Sequence, residues 1–155
     1  MSKRYLTAFG QVELSDDVLD TLSRYRQIKP SSSEAGGQLF ASFDDHGMVI
    51  LRATEPTAKS RRGRTFFWPS RYDEQKEIKA LFAEGLHYVG DWHSHPELSP
   101  EPSLADIDKI QGIFGSSKHD LNCMVMLIVG TSEATDGIWF GSVSDEGVHR
   151  ATQVE

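Results

Sequence analysis

Gly90-Asp91-Trp92-His93-Ser94-His95-Pro96 is the stretch of this sequence from which fold and chemistry are most directly inferred. Tyr88 and Val89 precede it, and aromatic and β-branched residues that lead into a proline are typical of a short strand. On a strand, residues two apart point to one face and lie about 7 Å apart along the chain. We therefore expect His93 and His95 to present their imidazoles side by side, with Ser94 facing away.

A second stretch, Ser103-Leu104-Ala105-Asp106, opens a predicted helix. Its apolar residues recur with the i, i+3 and i+4 spacing of a helix, at Leu104, Ile107, Ile110, Ile113 and Phe114. Ser103 is therefore the predicted N-cap, and Asp106 lies in the first turn, where its carboxylate can turn toward the end of the strand. The pattern S-x-x-D is also a plain capping box, which requires no metal.

The three side chains His93, His95 and Asp106 form a predicted metal-binding set. Two neutral imidazoles and one carboxylate are ligands of hydrolytic zinc sites, which leave a fourth position open for water. A metal held in this way keeps a positive charge and can acidify that water. The capping box accounts for Asp106 but not for two histidines on one strand face. The remaining histidines have no ligand-spaced partner and are interpreted as structural: His46, His87, His119 and His149.

Glu34 is the candidate general base. It is a lone acid in a loop of small residues, Ser31 to Gly37, immediately before the apolar strand Leu39 to Phe43. A water that attacks a carbonyl must give its proton to a nearby group, and a carboxylate is suited to accept it.

Together these residues resemble the motif of the JAMM (JAB/MPN+) metalloproteases. That motif is a glutamate far upstream, then His-Ser-His-Pro, six residues, a serine, two residues and an aspartate. This chain matches every position with Glu34, the segment 93–96, Ser103 and Asp106. The context Glu34 to Leu39 and the Gly90 before the histidines also fit the family.

The resemblance implies a fold and a set of residue roles. The fold is α/β, the three-layer JAB1/MPN (cytidine-deaminase-like) fold with a mixed sheet flanked by helices, formed here by residues 1–155 as a single domain. The roles are one Zn²⁺ per chain on His93, His95 and Asp106, general-base catalysis by Glu34, and stabilisation of the oxyanion by the Ser103 hydroxyl.

The resemblance also implies a substrate class. JAMM domains generally cleave isopeptide or peptide bonds after the C-terminus of ubiquitin or a ubiquitin-like modifier. This short chain is similar to stand-alone bacterial members of antiphage (CBASS) operons, where the implied partners are a modifier-conjugated protein, an E1/E2-like enzyme and a cyclic-nucleotide synthase. Two alternatives stay open: a peptidase that matures a ubiquitin-like sulfur carrier, and a non-catalytic MPN scaffold. Nucleoside deamination is disfavoured because it needs a Pro-Cys-x-x-Cys ligand pair, and the chain has one cysteine.

Composition excludes several other classes. Lys and Arg total 16 against 23 Asp and Glu, and the resulting net charge of −7 argues against a nucleic-acid partner. The basic segment Lys59 to Arg64 is interpreted as a solvated loop, with the alternative that it steers an acidic partner toward the site. No apolar run approaches the ~20 residues of a membrane span, and no secretory signal is recognised. The single Cys123, inside an apolar run, is predicted to be a core residue of a cytoplasmic protein.

Periodicity and turn signals predict alternating strands and helices without repeats or linkers. The predicted strands are 5–14, 37–43, 48–53, 64–68, the strand of the histidines, 122–129, 137–143 and 148–153; the predicted helices are 15–28, 70–85 and 103–115. Alternation along the strand places Trp92 in the core. Five other aromatic residues are also assigned to the core rather than to a substrate surface: Phe66, Phe67, Trp68, Trp139 and Phe140.

Overall fold

A computed structural model describes residues 2–133 and 137–154, which form eleven strands and three helices. In chain order these are β1 (Lys3–Thr7), β2 (Gly10–Leu14), α1 (Asp16–Arg24), β3 (Gly36–Asp44), β4 (Gly47–Ala53), β5 (Arg61–Gly63), β6 (Phe66–Trp68), α2 (Arg71–Ala83), β7 (His87–Ser94), α3 (Leu104–Ser116), β8 (Met124–Val129), β9 (Ile138–Ser144), β10 (Gly147–Arg150) and β11 (Thr152–Val154).

Nine of these strands form one mixed sheet in the order β10-β9-β8-β7-β3-β4-β2-β1-β11. β7 is an interior strand next to the central β3, antiparallel to β3 and parallel to β8. A parallel neighbour requires a crossover connection, and α3 supplies it between β7 and β8. The strand of the histidines therefore has a hydrogen-bonded neighbour on each side. The helix that follows it, α3, connects it to one of these neighbours, β8.

The sheet is strongly curved. Ala151 alone separates β10 from β11, although these strands lie at opposite ends of the strand order. The two edges must therefore come together, and two contacts join them. The backbone N–H of Ala151 donates to the carbonyl of Phe140 at 2.9 Å, and the rings of Tyr5 and Phe140 lie 4.8 Å apart.

Each face of the sheet has its own hydrophobic core. Val18 and Leu22 of α1 pack with Trp92 on one face, and Ile110 of α3 packs with Trp139 on the other. The result is a helix–sheet–helix arrangement, so the predicted three-layer α/β fold is confirmed. The core assignment of Trp92 is confirmed as well, since it is 1% exposed and its Nε1 donates to the carbonyl of Thr54 at 2.9 Å.

Side-chain caps explain where the helices begin. Ser15, Ser70 and Ser103 are N-caps whose hydroxyl oxygens accept from the backbone N–H three residues later. Gly85 follows Glu84, the C-cap of α2, with φ of +88°, the left-handed conformation of a helix terminus. These three helix starts and this helix end agree with the predictions. Within residues 2–133 and 137–154, none of the helices has the length and apolar character needed to cross a lipid bilayer.

Three predicted elements differ from the structure in their boundaries. Residues 5–14 form two strands with a turn before Gly10, and residues 148–153 form two strands that pair with opposite edges of the sheet. The first helix ends at Arg24 rather than at Ile28. Beyond it, the side chain of Gln27 donates to the carbonyls of Ser32, in the loop of Glu34, and of Arg64.

The predicted strand 64–68 is wrong in extent and in position. β5 and β6 pair only with each other, in a small hairpin (residues 61–68, the basic hairpin) outside the main sheet. Phe66 and Trp68 are consequently 37% and 61% exposed and stack on one another, so their assignment to the core is also wrong. Trp139 and Phe140, by contrast, lie on β9 of the main sheet and are buried as predicted.

Gly90 generates the first testable prediction. A β-carbon at this position would collide with the carbonyl oxygen of Val125 on β8, beside an irregularity in the β3–β7 pairing. We expect Gly90→Ala to lower the free energy of unfolding by more than about 2 kcal/mol, because backbone must move. Chemical denaturation measures it. The control is Gly112→Ala in α3, where a β-carbon meets nothing within 4 Å, and there we expect a gain of about 0.5–1 kcal/mol. Equal effects would contradict the assignment of Gly90 as a packing position.

Candidate active site

The end of β7 brings two imidazoles together. His93 lies opposite Gly36 of β3 and Ile128 of β8, so its backbone is paired on both sides. His95 follows the end of the strand, but its N–H still donates to the carbonyl of Val129 at 3.0 Å. The two Nε2 atoms lie 3.1 Å apart, as the alternation of side chains along the strand predicted.

The first turn of α3 brings the carboxylate. Asp106 Oδ2 lies 3.2 Å from Nε2 of His93 and 3.2 Å from Nε2 of His95. The same oxygen accepts from the backbone N–H of Ser103 at 2.9 Å, and the N–H of Asp106 donates to Ser103 Oγ at 3.1 Å. The capping box and the carboxylate–imidazole contacts therefore exist together. The cap holds the aspartate in place, and the site uses the same atom.

The three donor atoms fit a small divalent cation. Their mutual distances of 3.1, 3.2 and 3.2 Å define a nearly equilateral triangle. Tetrahedral ligands at the 2.0–2.1 Å bond lengths of zinc lie about 3.3 Å from one another. Two nitrogens and one oxygen form one face of such a tetrahedron and leave the fourth corner open. Among the described residues, one group of histidine, cysteine or acidic side chains brings its potential ligand atoms this close together: His93, His95 and Asp106.

The protonation states of the ligands reflect their proximity. Burial would raise the pKa of Asp106, but hydrogen bonds from His93 and His95 reverse this and hold that pKa well below its usual range. Burial would likewise lower the pKa of His95, but hydrogen bonds to Asp106 and Glu97 raise it. The aspartate is thus a carboxylate at neutral pH, the form that a cation requires.

Glu97 supports the site from outside. Its Oε1 lies 2.9 Å from Nδ1 of His95, and its backbone carbonyl accepts from the N–H of Thr131 at 2.8 Å. In the neutral imidazole that a cation requires, a carboxylate on Nδ1 holds the ring proton there and leaves the lone pair of Nε2 directed toward the triangle. The sequence analysis did not single out Glu97. Its position two residues after His95 is the signal that could have identified it.

Glu34 lines the same cavity as two of the three predicted ligands, His93 and Asp106. The cavity has a volume of about 90 Å³, and Glu34, His93, Asp106 and Lys109 contribute to its lining. Burial raises the pKa of Glu34, and the charges of the two imidazoles oppose the increase. A partly desolvated carboxylate with a raised pKa is a better proton acceptor than one in open water.

The backbone of Glu34 is fixed by the basic hairpin. Its N–H donates to the carbonyl of Gly63 at 2.7 Å, and its carbonyl accepts from Nε of Arg62 at 2.9 Å. The guanidinium of Arg62 also lies over the ring of Tyr25, 5.6 Å from its centroid. Arg62 is exposed, as expected for a solvated segment, but its guanidinium also binds the loop that carries Glu34. Steering of an acidic partner by this segment stays a prediction.

A second polar group lies beside the triangle on the α2–α3 side. Tyr88 donates to Asp91 Oδ1 at 2.8 Å, and Glu74 of α2 and Lys109 of α3 line the same cavity. Burial, and then the charge of Asp91, raise the pKa of Glu74 to about 7. The sequence analysis missed these residues. Asp91, two residues before His93 on the same strand, and Lys109, three after Asp106 on the same helix, share the faces of those ligands.

The comparisons with known proteins agree with this geometry. Residues 17–140 match the family described as prokaryotic homologues of the JAB domain. A protein named CD-NTase/cGAS isopeptidase from Escherichia coli (strain TW11681) is 33% identical over 136 residues, which cover 85% of this chain and 81% of that protein. A protein of the same name from Enterobacter hormaechei is 35% identical over 122 residues, which cover 77% of this chain and 68% of that protein. A probable metalloprotease, y4qB, from Sinorhizobium fredii is 29% identical and covers 72% of both chains.

Two solved structures share the fold. Protein DSY2949 from Desulfitobacterium hafniense superposes with a TM-score of 0.59 at 18% identity, covering 88% of this chain and 87% of that one. A protein from Salinibacter ruber superposes with a TM-score of 0.54 at 19% identity, covering 88% of this chain and 86% of that one. Fold, ligand triangle and relatives together define a metalloprotease of the JAMM class. The chain belongs to the family of prokaryotic JAB-domain proteins.

The contact between Glu97 and His95 leads to a prediction about metal affinity. We expect Glu97→Ala to weaken the binding of Zn²⁺, used as the probe cation, roughly tenfold, because His95 loses the partner that orients it. Competition with a chromophoric chelator measures this. Glu101→Ala, in the same loop and exposed, is the control and should bind as the parent protein does. Equal affinity of all three proteins would contradict the supporting role of Glu97.

The raised pKa of Glu74 leads to a prediction about stability. Since the folded-state pKa is about 7 and an unfolded glutamate titrates near 4.3, the folded protein binds the extra proton between these values. Stability is then lost as the pH rises through this window. Glu74→Gln should therefore be more stable than the parent protein at about pH 8 and equal to it near pH 4.

Thermal unfolding across this pH range tests the prediction. Glu77→Gln, in the same helix, is the matched control for removal of a carboxylate from α2. A pH-independent difference between Glu74→Gln and the parent protein would show that Glu74 is not held in its neutral form.

Proposed function

We propose that this chain is a zinc-dependent isopeptidase that releases a ubiquitin-like modifier, or a protein conjugated in the same way, from a target protein by cleaving after the modifier C-terminus. The observation that carries the proposal is the triangle of His93, His95 and Asp106, with Glu34 lining the cavity that His93 and Asp106 also line. The presence of all three ligands argues against a non-catalytic scaffold.

The chemistry follows from the side chains. Zinc bound by the triangle would lower the pKa of a water molecule and polarise the scissile carbonyl. Glu34 accepts the proton of the attacking water and passes it to the leaving amine, so that the carboxylate is regenerated. Ser103 already accepts the N–H of Asp106 with its oxygen, which leaves its hydroxyl hydrogen to donate to the oxyanion. Loss of one such donor typically costs about 3 kcal/mol of transition-state stabilisation.

The substrate proposal rests on the relatives. Four bacterial relatives, 28–35% identical, carry the name CD-NTase/cGAS isopeptidase. We propose that this chain acts likewise in a cytoplasmic antiphage (CBASS) conjugation system, where it reverses the coupling of a cyclic-nucleotide synthase made by an E1/E2-like enzyme. Maturation of a ubiquitin-like sulfur carrier uses the same chemistry on another peptide, and we retain it as the alternative.

The test uses two defined substrates. One is a bacterial CD-NTase fused through its C-terminus to a fluorescent protein, and the other is a sulfur-carrier protein with a peptide added after its terminal glycine. Cleavage of the first substrate at the junction supports the defence function, and cleavage of the second alone supports the alternative. Cleavage of neither by the zinc-loaded protein would overturn the proposal.

Two substitutions separate the role of Glu34 from that of the ligands. We expect Glu34→Gln to keep stoichiometric zinc while kcat falls by about 10²-fold or more, because the proton acceptor is lost. His95→Ala should lose both zinc and cleavage but stay folded, since the two cores lie elsewhere. Zinc content by atomic emission and steady-state kinetics measure these effects.

Two controls remove the same side-chain types away from the site. They are Glu101→Gln and His46→Ala, both at exposed positions, and they should behave as the parent protein. A Glu34→Gln protein without zinc would show that Glu34 holds the metal, and global unfolding of His95→Ala would show that the cation is structural.

A further inference from the structure

Ser94, between the two metal-ligating histidines, points away from the metal and is fully buried. Its Oγ accepts from the N–H of Ala35 at 2.9 Å, and its own N–H donates to the carbonyl of Ala35 at 2.9 Å. Ala35 is the residue next to Glu34. The strand that carries the ligands and the loop that carries the acid are therefore joined at adjacent residues.

The hydroxyl of Ser94 donates to Oε1 of Gln27, at 2.8 Å. Gln27 lies beyond the end of α1 and is only 4% exposed. Its amide nitrogen lies 3.4 Å from the carbonyl of Ser32 and 3.3 Å from the carbonyl of Arg64, and donates to both. One buried amide thus connects the metal-binding strand, the loop of Glu34 and the basic hairpin.

A glutamine is suited to this position for a chemical reason. The network needs one acceptor, for a hydroxyl, and two donors, for two carbonyls, and a primary amide supplies both from one planar group. Burial of that amide would cost free energy if its bonds were unmade. The contacts therefore specify one arrangement of the three segments rather than several.

The loop of Glu34 depends on this network more than the metal-binding strand does. β7 is paired with β3 over residues 87–93 and with β8 over residues 90–94. Residues 29–35, by contrast, form neither helix nor strand. Their position relative to the ligands is set by Gln27, by Ser94 and by the contacts of Glu34 with the hairpin. Loss of the Gln27 amide should hence displace the acid and leave the ligands in place.

We infer that Gln27 is a positioning residue, which sets the location of the Glu34 carboxylate relative to the metal ligands through Ser94, Ser32 and Arg64. The inference rests on the proposed role of Glu34 as the general base. A displacement of about 1 Å in a reacting group can cost roughly 10²-fold in rate without a change in substrate binding.

The test compares four variants in the zinc-loaded, full-length protein. Gln27→Met keeps the approximate length and volume of the side chain but removes all three hydrogen bonds. Ser94→Ala removes only the link to the metal-binding strand, and it tests the inference independently if Gln27→Met does not fold. The third variant combines both substitutions. Thr21→Val removes another buried polar group, from α1, and serves as the control.

We expect kcat of Gln27→Met to fall by about 10–10²-fold with KM and zinc content unchanged. The double variant should be no slower than the slower single variant, because both substitutions break one network. Thr21→Val should keep the kcat of the parent protein. Amide hydrogen exchange gives a readout without catalysis: the N–H groups of Glu34 and Ala35 should exchange at least about tenfold faster in Gln27→Met, while those of β7 stay protected.

Three outcomes would overturn the inference. They are a kcat that falls only in proportion to the unfolded fraction, a loss shared equally by Thr21→Val, and unchanged exchange at Glu34 and Ala35. If the parent protein cleaves neither substrate, the proposed function fails, and the exchange measurement alone decides whether Gln27 holds this loop.

Discussion

The structure depends on one junction, where the end of β7 meets the first turn of α3. Both Nε2 atoms and Asp106 Oδ2 come within 3.2 Å of one another there. Hydrogen bonds between the carboxylate and the two imidazoles stabilise this arrangement, as the lowered pKa of Asp106 shows. The surrounding fold supplies the constraint that keeps them together: a strand paired on both sides and a helix fixed by its own cap.

The capping box shows how local and tertiary requirements can use the same atom. Asp106 Oδ2 accepts the N–H of Ser103 and faces both imidazoles. The interpretation as a helix cap is therefore confirmed, and the cap geometry is compatible with the proposed ligand role of Asp106. The same geometry brings Ser103 to the proposed metal site, since this N-cap residue is hydrogen-bonded to Asp106.

The opposite side of the site is built differently. Glu34 lies in a loop, and its position comes from contacts made over long sequence distances, with Gly63 and Arg62 of the basic hairpin. Through Ala35 the loop also reaches Ser94 and, through it, Gln27. Segment 59–64 stands out as a basic run in an acidic chain, and one of its cations, Arg62, is exposed yet binds the loop that carries Glu34. Charge alone did not reveal this.

Some features were determined by the sequence itself. Strand alternation at residues 93–95, the apolar period of α3 and its serine cap are local properties. The convergence of His93, His95 and Asp106, the start of α3 and the strand of the histidines were therefore predictable, and the motif resemblance supplied the fold. Other features required tertiary structure. The hairpin that exposes Phe66 and Trp68, the separation of β10 from β11 and the network of Gln27 depend on which distant segments meet. Local sequence patterns cannot predict such contacts. The hydrogen bonds of Ser94 join residues 59 and 67 positions apart, and contacts at that separation leave no periodic pattern in the sequence.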